Sequence, residues 1–246
     1  MKTKTLEISG KKLRMTAEFQ PIIRLSGNKI FRYEALARFF NAEGFLIPTQ
    51  QIIDEIEQLG AIREVTNFIF DTTCHLIKLK HDLTISFNLS HLLINDGEYL
   101  SRLYQQCLLN DVQPQSIEIE ISEKITKAQL IESLPFLKQA KEYGFMISLD
   151  DFGAGNLQVD SLKLFNFDTI KIDRSIIDGI AEDEKKLSTL QDFIDQLIST
   201  DVTIICEGVE RSSDLALLNQ YSPIGIQGYI FYRPLTFTQL RLLEGF

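Results

Sequence analysis

The sequence predicts an α/β fold, a (β/α)8 TIM-like barrel with an antiparallel first strand. Three observations carry this expectation. Short β-rich runs alternate with amphipathic helical patterns along 246 residues, as barrels of parallel strands require. The first two runs have no helix between them. Nearly every run carries a polar residue at its late positions, where barrels build their sites.

In chain order, MTAEFQPII (15–23) and KIFRYEALAR (29–38) flank LSGNK, which reads as a tight turn. These two strands should therefore pair as a hairpin. TQQIIDEIEQLG (49–60) has an apolar stripe at helical spacing. LTISFNLS (83–90) and SIEIEIS (116–122) are the next strands. KAQLIESLPFLKQAKEYG (127–144) is helical, with a glycine stop at Gly144. FMISLD (145–150) and TIKID (169–173) come next, then the helical LSTLQDFIDQLIST (187–200), then VTIICE (202–207) and GIQGYIF (225–231). Alternation alone also suits an open doubly wound sheet. The polar strand ends favour the barrel: Glu34, Asn88, Glu120, Asp150, Lys171, Glu207 and Gln227 would converge on one place.

Composition narrows the function. With 44% hydrophobic and 24% charged residues the chain is ordinary globular. No linker or low-complexity segment divides it, so one domain over 1–246 is expected, its motifs lying between about 16 and 236. A net charge of −9 repels phosphate backbones and argues against a nucleic-acid polymer as partner. A small phosphate ligand is still admissible, because bound cations invert the local field. Cys74, Cys107 and Cys206 are scattered, odd in number and without a CxxC. This argues against a disulfide framework or zinc cluster and fits a reducing cytosol. The MKTKTLEISGKKLRM start has no apolar core of a leader, and no apolar run approaches the ~18 residues of a membrane span. A cytoplasmic protein with no membrane partner is expected.

Gathered carboxylates either raise one another's pKa or require cations. Glu34, Glu120, Asp150, Asp151 and Glu207 offer oxygen only, and Asn88 adds a neutral carbonyl. No histidine joins them; His75, His81 and His91 lie elsewhere. Such a set suits Mg²⁺ or Mn²⁺, in one or two ions, over zinc. In ISLDDFGAGNL (147–157), two adjacent aspartates end a strand. Neighbouring strand residues point to opposite faces, but at a frayed end before glycines the second can turn back. Asp150 could then bridge two ions while Asp151 binds one of them. Two ions ~3.5–4 Å apart suit in-line displacement at phosphorus. Lys171 and Asp173 share a strand face, and the lysine could donate to an attacking water or to developing charge. The bland alternatives are an ion pair for Lys171 and Asp173, a solvated strand face for Glu118 and Glu120, and a helix-dipole pair for Glu207 and Glu210. The joint occurrence at successive strand ends favours a site. Glu118 is assigned a structural role.

The order YEALAR, NLS, EISE, DDFGAG, KID, EGVE, QGY, running from FQPI at Phe19 to YRPL at Pro234, resembles the EAL-domain cyclic di-GMP phosphodiesterases. Seven motifs in order make this a specific resemblance. It implies hydrolysis of cyclic di-GMP to linear 5′-pGpG with Mg²⁺ or Mn²⁺, two ions in all, in a homodimer. By position it implies Glu34, Asn88, Glu120 and Asp150 on one ion, and Asp150, Asp151 and Glu207 on the other. Lys171 would contact the attacking water with Asp173 in support. Arg38, Gln227 and Gln20 would meet substrate, and Glu123 would steady the loop after Asp151. Leu157 and Gln158 replace small hydroxyl residues of the family pattern, a change expected to alter loop packing, dimerisation or the loop's grip on Glu123. No cyclase or sensory segment accompanies the motifs, so regulation would come from expression, dimerisation or an unseen protein partner.

Three other function classes compete. A silent cyclic di-GMP receptor or protein-interaction module would share the fold but usually lacks part of the metal set. A barrel glycosidase needs two carboxylates rather than five plus Asn and Lys, and the chain has no Trp to stack on sugars. A kinase would need HRD beside DFG, and no HRD occurs.

Overall fold

The computed structural model describes residues 2–155, 157, 159–197 and 200–246. Its strands are β1 (Lys4–Ile8), β2 (Lys11–Arg24), β3 (Lys29–Phe40), β4 (Leu46–Ile47), β5 (Ile85–Asn88), β6 (Ile117–Ser122), β7 (Met146–Phe152), β8 (Thr169–Ile172), β9 (Thr203–Cys206), β10 (Gly225–Ile226) and β11 (Leu235–Thr236). Eight of them close a barrel in the order β2-β3-β5-β6-β7-β8-β9-β10, with β10 returning to β2. The pairings from β3 through β10 are parallel. β2 runs antiparallel to both neighbours, β3 and β10. The expected hairpin is therefore present, in a register from Arg14↔Phe40 to Arg24↔Lys29. Gly27 and Asn28 turn it with φ of 98° and 50°, the left-handed region that glycine and asparagine enter most readily.

β1, β4 and β11 lie outside the barrel. β1 pairs the first half of β2, β11 pairs its middle, and β4 pairs antiparallel with the end of β3. The segment KTLEI is a strand that the sequence pattern does not announce. The eighth expected strand, GIQGYIF, is cut to two residues. Its chain folds instead against Val209, and a Cβ on Gly228 would lie 2.1 Å from the Val209 carbonyl oxygen.

Helices cover the outside. The expected ones are found at Thr49–Gln58, Lys127–Glu142 and Glu184–Leu197; positions 198 and 199 of the third expectation lie outside the described residues. Thr126 and Gln129 form a capping box that starts the second. Gly144 ends it with φ of 93°. The long helices Ile62–Leu79 and Gly97–Leu109 complete the layer on that side. In β6, Ile117, Ile119 and Ile121 are buried, and so are Glu118 and Glu120. With period two, the isoleucines face the helices and the glutamates face the barrel interior. No helix among the described residues is long and apolar enough to cross a membrane.

Candidate metal centre

The strand alternation stacks the polar interior in two levels. In the lower one, Arg32 Nη1 lies 2.7 Å from both carboxylate oxygens of Glu118 and 2.6 Å from Thr169 Oγ1. Thr169 Oγ1 donates to Glu118 Oε1 at 2.5 Å. Glu118 is 1% exposed, so it is a sealed ion pair and not a solvated strand face.

Two residues further along each strand the upper level opens at the carboxyl ends. Lys171 Nζ sits at its centre. It is 3.2 Å from Glu34 Oε2, 3.1 Å from Glu120 Oε2, 2.9 Å from Asp150 Oδ1 and 2.8 Å from Glu207 Oε1. Asn88 Nδ2 donates to Glu34 Oε1 at 2.8 Å, and Gln227 Nε2 to Glu34 Oε2 at 2.6 Å. The acids respond differently to this setting. Burial opposes ionisation of Glu34, but Lys171 and the amide donors outweigh it and hold its pKa below the usual value. Burial, reinforced by neighbouring carboxylates, raises Glu120 and Glu207 well above theirs. Burial pushes Asp150 up to about 6.

Ligand atoms of Glu34, Glu120 and Asp150 all lie within 4.8 Å of one another, and so do those of Asp150, Asp151 and Glu207. Asp150 belongs to both groups. Glu120 Oε1 and Gln227 Oε1 are buried without a hydrogen-bond partner among the described residues. Asp150 Oδ1 has its ion-pair contact but no aligned hydrogen bond. Unused oxygen lone pairs in an all-oxygen, histidine-free cluster fit hard divalent cations.

The side-by-side aspartates are reconciled by a bulge. Pairing of β7 with β8 shifts register between Leu149 and Phe152, and Asp151 adopts φ of 60°. That backbone costs on the order of 1–2 kcal/mol for a residue with a Cβ, and it turns both carboxylates into the mouth. The loop after Asp151 is held by Glu123. Its carboxylate accepts from the backbone N–H of Gly153 at 2.7 Å, Gly155 at 2.9 Å and Leu157 at 3.0 Å. The Leu157 side chain is buried in the core, so this substitution leaves the Glu123 grip in place. Gln158, the other half of that expectation, lies outside the described residues. Replacing Glu123 by alanine should cost about 1–3 kcal/mol from the freed donors. It should also speed amide exchange at Gly153, Gly155 and Leu157; unchanged exchange there would mean that other contacts hold the loop.

The remaining expected residues surround the cluster. Asp173 lies just past β8 and caps the next turn by accepting from Ser175 N at 2.8 Å. Its charge raises Asp151, after the larger effect of burial. Arg38 Nε is paired with Glu18 at 2.9 Å on the wall of a groove of about 510 Å³ that reaches Asp150 and Asp151. Gln20 lines a second cleft of about 280 Å³ on the other side, with Glu34, Asp151, Glu207 and Gln227. That cleft holds two residues the sequence does not single out, Arg174 and Tyr229. Arg174 pairs with Glu210 at 3.0 Å and lies across Gly208, where a Cβ would come within 2.4 Å of its side chain. Glu210 is thus tied to Arg174 and precedes the helix Ser212–Leu218. The only signal for Arg174 is its place directly after KID.

Fold and site together define a class: a parallel-stranded barrel with one reversed strand and an acidic, lysine-centred cluster at its mouth. The chain belongs to the EAL domain family, whose model matches residues 5–234. It is 29% identical over 226 residues to the signaling protein YkoW of Bacillus subtilis, covering 90% of this chain and 28% of YkoW. It is 24% identical over 232 residues to the cyclic di-GMP phosphodiesterase NbdA of Pseudomonas aeruginosa, covering 92% of this chain and 30% of NbdA. The chain therefore spans less than a third of the length of these two curated relatives. Among solved structures, the PaMucR phosphodiesterase in complex with c-di-GMP superposes with a TM-score of 0.86 at 25% identity, covering 92% of this chain and 94% of that one.

Proposed function

We propose that this EAL domain is a metal-dependent phosphodiesterase that hydrolyses cyclic di-GMP to linear 5′-pGpG. The observation that carries the reading is Asp150 shared between two carboxylate groups, with Lys171 between them. Five carboxylates, Glu34, Glu120, Asp150, Asp151 and Glu207, stand against one lysine. When ionised they leave four negative charges, the number that two divalent cations neutralise. NbdA and PaMucR, similar along most of this chain, bear the same activity in their names.

Glu34, Asn88, Glu120 and Asp150 would hold one Mg²⁺ or Mn²⁺, and Asp150, Asp151 and Glu207 the other. Bound ions of this kind lower the pKa of water and offset charge on phosphorus. The protein groups do the rest. Lys171 Nζ orients the attacking water and donates to charge that develops on the phosphoryl oxygens. Asp173 supports it by capping the turn that follows β8, the strand that carries Lys171. Gln227 and Asn88 fix the Glu34 carboxylate. Arg38 takes a phosphate oxygen with the part of its fork that Glu18 leaves free. The groove and the second cleft share Leu36, Asp150 and Asp151, which gives a two-base ligand room on either side of the scissile bond. Glu123 fixes the loop that carries Asp151 into place.

Purified protein is incubated with cyclic di-GMP and MgCl₂ or MnCl₂, and nucleotides are separated by chromatography. Metal-dependent pGpG is expected. Binding without turnover under both metals sinks the catalytic reading in favour of a receptor. The Glu123 loop contacts retained at Leu157 support the active form. The homodimer and a cytoplasmic location belong to this proposal; sedimentation at assay concentration tests the first.

The raised Asp150 gives a pH dependence. Its carboxyl binds a proton up to about pH 6, and ions compete with that proton. Mn²⁺ affinity is therefore expected to tighten about fivefold between pH 5 and 6 in a calorimetric titration. A flat profile would contradict the assignment. For a folded pKa above the unfolded one, stability runs the other way. Without metal, the share from Asp150 is present below about pH 4 and is lost as pH rises through about 6.

A further inference from the structure

We infer that Lys171 is the resident counter-ion of the acidic mouth and sets its affinity for divalent cations, an inference that rests on the metal-centre reading. The ammonium is 1% exposed and lies 2.8 to 3.2 Å from four carboxylates. Those carboxylates come from β3, β6 and β7 and from the residue after β9, so one side chain ties together four staves of the barrel. An ammonium has three donors. It makes aligned hydrogen bonds to Glu34 and Glu120, while Glu120 Oε1 and Asp150 Oδ1 have none. The lysine thus engages four walls of the mouth and exhausts the acceptor capacity of none.

Electrostatics gives this arrangement two effects. A divalent ion bound by Glu34, Glu120 and Asp150 shares their carboxylates with a fixed positive charge, and like charges a few ångströms apart repel. Lys171 therefore weakens metal binding. The same charge offsets the mutual repulsion of the carboxylates, so it also holds the mouth together. The residue trades metal affinity for a site assembled in advance.

MnCl₂ is titrated calorimetrically into wild type, Lys171→Met and Lys171→Arg, and each is melted in EDTA and in MnCl₂. Lys171→Met should bind Mn²⁺ at least about tenfold more tightly. It should melt about 10 °C lower in EDTA, as buried charges that lose their partner do. Lys171→Arg, which keeps the charge, should stay within about threefold of wild-type affinity. A Lys171→Met protein that binds Mn²⁺ no more tightly than wild type overturns the inference. If that variant is unfolded in EDTA, circular dichroism during MnCl₂ addition reads the same property. Folding at Mn²⁺ below the wild-type Kd supports the inference, and failure to fold at saturating Mn²⁺ overturns it. Wild type that binds no Mn²⁺ overturns the metal-centre reading along with it, whereas wild-type binding with an unmoved Met variant overturns the counter-ion role alone.

Discussion

Asp150→Asn is expected to abolish metal-dependent hydrolysis of cyclic di-GMP, with kcat/KM down at least about 10³-fold, the upper range for removing one preorganised charged group. The change keeps the size of the side chain and removes its charge. Asp150 is common to both carboxylate groups, so both lose a ligand. Asp151→Asn touches one group only and should cost less. The fold should survive Asp150→Asn, because burial already favours the uncharged form of this side chain. Its melting temperature in EDTA should match or exceed that of wild type. A D150N protein that keeps more than about a tenth of wild-type turnover would show that the shared position is not where the chemistry is organised.

The second large effect is on stability. Glu118→Ala leaves Arg32 without its counter-charge inside the barrel, with its guanidinium deprived of both carboxylate oxygens that it now meets at 2.7 Å and the neutral Thr169 hydroxyl left beside it. Breaking a buried pair by removing one partner costs about 3–5 kcal/mol. For a chain of this size that is a fall of roughly 6–20 °C in melting temperature. The double change Arg32→Met/Glu118→Leu removes both charges and should recover most of the loss, since an apolar replacement of the pair is often neutral. Urea unfolding of the three proteins checks both statements. A single variant within about 1 kcal/mol of wild type would mean that water reaches Arg32.

Reading the chain in one dimension recovers some of this and misses the rest for physical reasons. The hairpin was legible because LSGNK carries its own turn chemistry. The mouth was legible because polar residues recur at strand ends, and the glycines after the double aspartate suggested that the second carboxylate turns back; that a bulge does this was not legible. Glu118 was harder. A strand reading IEIEI looks half-solvated, because a one-sided sheet and a barrel with a charged interior give the same alternation. Its partner Arg32 lies 86 residues away in sequence, and no local pattern joins them. Asp173 shows the same limit from the other side. TIKID puts it on the face of Lys171 as long as the strand continues, but β8 stops at Ile172 and Asp173 turns to cap the helical turn Arg174–Ile177. The short eighth stave depends on the contact of Gly228 with Val209, which only the folded chain reveals.

The reversed β2 has one more effect. It pairs with β3 from Arg24↔Lys29 up to Arg14↔Phe40, well past Gln20↔Glu34. The hairpin therefore stands above the carboxylates as a parapet on one bank, where Leu36, Ala37 and Arg38 face the groove. The opposite bank is made of loops bearing Arg174, Glu210 and Tyr229. Cyclic di-GMP has two equivalent halves, but these banks are unlike. On the proposed function, a bound molecule must give up its twofold equivalence on entry. One phosphodiester would lie over Asp150 and the other to the side, so each encounter would offer a single bond for cleavage, with a linear dinucleotide as the product.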